Sequence, residues 1–177
     1  MLRGAFFALF AIYALIAIPL RSYSQPLIIM SVIPFGIIGA IFGHFIMDLS
    51  LSIMSMFGMV ALIGVVVNDS LVMVDYVNKA REQGIRVKDA AINGGCARFR
   101  AIILTSLTTF FGLVPILSET SMQAQILIPM AASIAFGILF ATVITLYLIP
   151  VLYVIGTDIK GLKRGLFDLY RTKQQEA

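Results

Sequence analysis

Gly64-Val65-Val66-Val67-Asn68-Asp69-Ser70-Leu71-Val72-Met73-Val74-Asp75 lies inside an apolar segment running from Leu51 to Val77. A segment of that length can cross a bilayer, whose hydrocarbon core takes about 20 apolar residues. It nevertheless carries Asp69, ten residues before the first following lysine, Lys79. At about 1.5 Å per residue, Asp69 is ~15 Å from Lys79, or ~9 Å inside if the hydrocarbon ends at Asp75. A carboxylate at such depth costs at least about 2.5–3.5 kcal/mol on insertion scales. That cost points to a transport pathway, a proton relay or a buried partner, and makes Asp69 the most informative residue of the chain.

The rest of the composition agrees with a membrane reading. Of 177 residues, 60% are hydrophobic and 12% charged, with a mean hydropathy of +1.00. Soluble domains carry about 45–50% apolar and ~25% charged residues. The apolar residues fall in long unbroken runs such as Leu27 to Phe45, not in the alternating strands of a transmembrane barrel. The expected fold class is therefore all-α, a polytopic transmembrane helix bundle. Five spans are readable: 4–20, 27–46, 51–77, 101–117 and 126–155. They make a transmembrane domain over 1–157, followed by a basic tail over 158–177.

Lysine and arginine orient the bundle. With five spans, the first connection, the third connection and the tail share one side. That side holds every basic residue but Arg3, out of 13. It is expected to be cytoplasmic, with the N-terminus outside and the C-terminus inside. The net charge of +4 thus reports topology and not nucleic-acid binding. A signal peptide is not expected. The first apolar run is long for one, and Arg21-Ser22-Tyr23-Ser24 lacks a small-x-small cleavage site. An odd number of spans with an outside N-terminus suggests a piece of something longer.

Several local features add expectations. Gly36, Gly39 and Gly43 leave one face of the second span without bulky side chains, suited to close helix packing. His44 reads as a residue of the outer interface. Gly84 closes a helix, and Val87 to Ile92 reads as a short amphipathic helix on the membrane surface, ending before Gly94-Gly95. Thr105, Ser106, Thr108 and Thr109 form a hydroxyl stripe, either functional or bonded to their own helix backbone. Cys96 is the only cysteine and permits no internal disulfide. No histidine pair, phosphate-binding glycine loop or metal-ligand cluster is present, so neither an enzyme, a cofactor nor a metal site is expected.

The order Gly64 to Asp75, a basic loop, Arg98-Phe-Arg100 through Gly112 and Pro115, then Ile149-Pro-Val-Leu-Tyr153, resembles the C-terminal membrane portion of resistance-nodulation-division (RND) efflux transporters, in the acriflavine-resistance, multidrug branch. The resemblance covers roughly residues 1–157. It implies that the chain is the last five of twelve spans of a drug/proton antiporter in the bacterial inner membrane. By motif, it implies proton-relay roles for Asn68, Asp69, Arg98 and Thr105. It further implies a missing N-terminal half, trimerisation of the full-length protein, large periplasmic substrate-binding domains, and partnership with a periplasmic adaptor and an outer-membrane channel. Two departures stand out: Asp69 where asparagine is more usual, and Ala101 where proline usually follows the arginine. From the residues alone, a structural or assembly module and a small autonomous channel stay open as alternatives.

Overall fold

Pro34 breaks the second span. Having no N–H, it cannot donate to the carbonyl of Met30, and the helix divides into α2, Gln25–Met30, and α3, Ile33–Ile46. At the break, Val32 N–H donates to Ile29 O instead of Ile28 O, and Ser31 Oγ donates to Ile28 O at 2.6 Å in its place. In this computed structural model, which describes the backbone of residues 2–20 and 22–175 and the side chains of 4, 7–20 and 22–159, the remaining helices are longer. They are α1, Leu2–Leu20; α4, Ile53–Glu82; α5, Val87–Leu117; and α6, Met122–Gln175. No strand occurs among the described residues.

Among the described residues, four stretches are long and apolar enough to cross a membrane: Gln25–Ile46, Ile53–Glu82, Val87–Leu117 and Met122–Ile159. In α1 the apolar stretch Phe7–Leu20 is shorter. The arrangement is an all-α helical membrane bundle. The basic side chains of Arg3, Arg21 and the segment from Lys160 onward lie outside the described residues.

Local chemistry sets the helix ends. Ser52 caps α4 in a reciprocal box: Ser55 N–H donates to Ser52 Oγ at 3.2 Å and Ser52 N–H to Ser55 Oγ at 3.1 Å. Gly84, at φ +84, turns the chain out of α4 in the left-handed region, and Ile85 N–H closes back on Ala80 O. Asp48, at φ 53, does the same after α3, with Leu49 N–H on His44 O.

The centre of the bundle is α6, against which α3, α4 and α5 all pack. Its buried face is built from Ala131, Ala132, Ser133, Ala135, Gly137 and Ala141, small residues that let three helices approach. Gly39 and Gly43 of α3 are buried there: a Cβ at Gly39 would fall on the Cβ of Phe140, and one at Gly43 on that of Phe136. Gly36 packs more loosely, facing Leu62 and Ala141. Gly58 of α4 is equally tight, since a Cβ there would lie 2.5 Å from Met130 O. Between these glycines the larger core side chains interlock, among them Ile29, Leu62, Met73, Ile138 and Ile149.

Two expectations change. The surface helix anticipated over Val87 to Ile92 does not end before Gly94-Gly95: α5 runs unbroken from Val87 to Leu117. The reason is packing. A Cβ at Gly94 would lie 2.8 Å from Val77 Cγ2, so glycine lets α5 press onto α4, and that contact outweighs about 1 kcal/mol of poor helix propensity. His44, expected at the interface, is buried at 3% exposure between α3 and α4. Its Nδ1–H donates to Ala40 O at 2.9 Å, because a carbonyl only accepts, and Ser55 Oγ then donates to Nε2 at 2.7 Å. The ring therefore carries a proton on Nδ1.

Candidate functional site

The sequence places Asn68 and Asp69 on α4, and Arg98 and Thr105 on α5. These helices run antiparallel, joined by the Gly84 turn, and meet near that turn through Gly94, Val77 and Tyr76. The Arg98 guanidinium sits over the Tyr76 ring, 5.9 Å from its centroid, a cation–π contact that desolvates the charge without neutralising it. Arg98 Nε is buried and has no hydrogen-bond partner among the described residues. Asp75 and Lys79, one turn apart, form an exposed ion pair at 2.7 Å that marks the edge of the apolar segment.

Register then sets the depth of the other two residues. Asp69 is seven residues inward from Tyr76, and Thr105 seven residues inward from Arg98. Seven residues are two turns, about 10 Å, so Asp69 and Thr105 lie at similar depth on facing helices. Asp69 is half-buried, while Asn68 and Thr105 are exposed on the chain's surface.

None of the four residues bonds another among the described residues. Thr105 Oγ1 donates to Ala101 O at 2.9 Å in its own helix. The two ion pairs among the described residues, Asp75–Lys79 and Asp89–Arg86, leave Asp69 out. The relay candidates thus share a helix pair and are not joined to one another among the described residues.

The hydroxyl stripe divides. Thr108 and Thr109 donate to carbonyls of their own turn, at 2.8 Å to Leu104 O and Thr105 O respectively. Ser106 is the exception. Buried, it donates to Ile102 O at 2.9 Å and accepts from Thr142 of α6 at 2.5 Å. That crossing bond anchors α5 to the central helix.

Sequence reasoning missed a polar clamp at the same end of the bundle. Asn78 Oδ1 accepts from Gln25 Nε2 at 2.7 Å and from Tyr153 OH at 2.6 Å, while Asn78 Nδ2 donates to Gln25 Oε1 at 3.0 Å. Arg81 donates to Tyr153 OH at 3.2 Å and lies over its ring. Asn78 and Tyr153 thereby tie α2, α4 and α6 together. Tyr153 belongs to a recognised motif, but its partners lie 75 residues away on Asn78 and 72 on Arg81, and nothing in the periodicity pairs them.

A bundle of long apolar helices, centred on one rich in small residues and carrying a carboxylate inside another, defines a polytopic membrane protein. Comparison with known proteins narrows this. The AcrB/AcrD/AcrF family matches residues 4–156. Multidrug resistance protein MdtC of Pantoea ananatis (strain AJ13355) is 31% identical over 158 residues, 89% of this chain and 15% of that protein. MdtC of Proteus mirabilis (strain HI4320) is 31% identical over 147 residues, 82% of this chain and 14% of that protein. Two crystal forms of a heavy metal efflux pump superpose with TM-scores of 0.71 and 0.76 at 25% identity, each over 84% of this chain. The chain spans about 15% of the length of these relatives. It belongs to the AcrB/AcrD/AcrF family and is a membrane portion of an RND efflux transporter.

Proposed function

We propose that this chain is the C-terminal membrane part, the last five of twelve spans, of a proton-driven drug exporter in the bacterial inner membrane. The supporting observation is Asp69: a half-buried carboxylate within a membrane-crossing helix, outside both ion pairs and level with Thr105 on the facing helix. Asn68 and Thr105 open beside it onto the chain's surface. A carboxylate so placed suits a relay completed by another segment, here the N-terminal half of the same transporter. Arg98, held on Tyr76 two turns away, supplies a fixed positive charge on the cytoplasmic side of that relay. In this reading the full-length protein trimerises, and drug selection belongs to its periplasmic domains, with an adaptor and an outer-membrane channel completing the exit path.

The test is drug efflux from cells expressing full-length Asp69→Asn at matched membrane levels. Export should fall, and by less than after loss of a first-half carboxylate, since asparagine keeps the hydrogen-bonding shape. Wild-type efflux across the usable pH range would refute the relay role. It would leave Asp69 a structural residue of an assembly module.

A further inference from the structure

Arg98 stands on α5 one turn beyond Gly94, so the two share a face of the helix. That face meets α4. A Cβ at Gly94 would lie 3.2 Å from Tyr76 Cδ1 and 2.8 Å from Val77 Cγ2. The absent side chain leaves a flat seat, and the Tyr76 ring lies against it. Side chains on a helix lean toward its N-terminus, so Arg98 reaches back over the turn of Gly94. There its guanidinium meets the ring, 5.9 Å from the centroid.

No carboxylate of the described residues shares that position. Asp75, next to Tyr76, is held by Lys79 at 2.7 Å, and Asp89 by Arg86 at 2.8 Å. Glu82 is exposed, nearly two turns from Tyr76 toward the Gly84 turn, and Asp69 is two turns the other way. The central helix α6 carries no acidic residue before Asp158. Arg98 Nε is buried without a hydrogen-bond partner among the described residues. The contact that holds this cation is therefore the face of an aromatic ring. A carboxylate would fix the guanidinium by neutralising it. A ring fixes its position and leaves its charge whole.

We infer that Tyr76 is a positioning residue for Arg98: its ring, seated on Gly94, sets where the positive charge stands relative to Asp69. This role rests on the relay reading of Arg98 given above. Tyr76 acts through Arg98 and carries no proton itself. A packing role would differ in one respect. Packing needs an apolar side chain of the right size, whereas holding a cation needs the electron-rich face of the ring.

The test uses the full-length transporter at matched membrane levels. Tyr76→Phe keeps the ring face and should export like the wild type. Tyr76→Leu removes it and should lower export several-fold, in keeping with a partly desolvated cation–π contact. Pentafluorophenylalanine in place of Tyr76 has nearly the shape of phenylalanine but an electron-poor face, and should lower export as Tyr76→Leu does. Thermal unfolding in detergent reads the contact without transport. The pentafluoro form should melt below Tyr76→Phe when Arg98 is present, and level with it when both are combined with Arg98→Gln.

Equal export by the phenylalanine and pentafluorophenylalanine forms, with Arg98→Gln defective, would overturn the inference and leave the relay reading standing. A melting difference that persists in Arg98→Gln would assign the ring to packing and overturn it as well. Wild-type export by Arg98→Gln would remove Arg98 from the relay, and this role of Tyr76 with it.

Discussion

Gly39→Ala adds one methyl group at the contact between α3 and α6. The new Cβ would fall on the Cβ of Phe140 and lie 3.1 Å from Phe136 O. Neither obstacle can rotate away, since one is a Cβ and the other backbone, so the helices must separate by about 1 Å. A gap of 0.5–1 Å forfeits roughly a quarter to a half of each dispersion well, and each well is worth about 0.1–0.2 kcal/mol. If about 40 atom pairs along the seam are affected, the loss is ~1–4 kcal/mol, in line with the ~1–3 kcal/mol typical of overpacking. For a chain of this size that lowers the melting temperature by several degrees, at about 2–4 °C per kcal/mol. The control is Gly64→Ala, where nothing lies within 4 Å and the site is exposed within α4. There alanine should be neutral or stabilise by about 0.5–1 kcal/mol through helix propensity. The assay is thermal unfolding of both variants in the same detergent. Equal melting temperatures would refute the close α3–α6 contact.

Other consequences follow from the same geometry. Tyr153→Phe removes the hydroxyl that joins Asn78 to Arg81 and should cost about 1–2 kcal/mol in thermal stability, with α2 still held to α4 by Gln25. His44→Ala deprives the buried Ser55 hydroxyl of its acceptor and should cost about 1–3 kcal/mol; exposed Thr108→Ala, by the same melt, should stay within ~0.5 kcal/mol. A cysteine placed at Arg171 should be labelled only from the cytoplasmic side, and labelling from outside in intact cells would overturn the topology read from charge.

The legible part of the candidate site was the chemistry of single residues. Asp69 stood out because a carboxylate in an apolar run is costly wherever the run is packed. Arg98 and Thr105 were reachable through their motif, and helix register alone predicts that Thr105 shares the depth of Asp69. Which hydroxyl of α5 crosses to another helix was not legible. Thr105, Ser106, Thr108 and Thr109 are chemically alike, and only the approach of Thr142 separates Ser106 from the rest. The His44 expectation failed for a similar reason, because a lone histidine near a helix end carries no mark of the serine that will meet it from 11 residues on.

The sequence by itself determined the helices, the membrane and the family. In hydrocarbon each span must satisfy its own backbone, so span length, apolar content and terminal charge act locally and can be read one segment at a time. Tertiary structure decided what those spans do to one another. It made α6 the hub instead of the carboxylate-bearing α4, because small residues spread over Ala131 to Ala141 admit three neighbours at once. It carried α5 straight through Gly94-Gly95, because a missing Cβ let Val77 come close. It assembled Gln25, Asn78 and Tyr153 into a clamp across 128 residues of chain. Each of these depends on which distant side chains meet, and periodicity within a helix specifies the face presented but not the partner it finds.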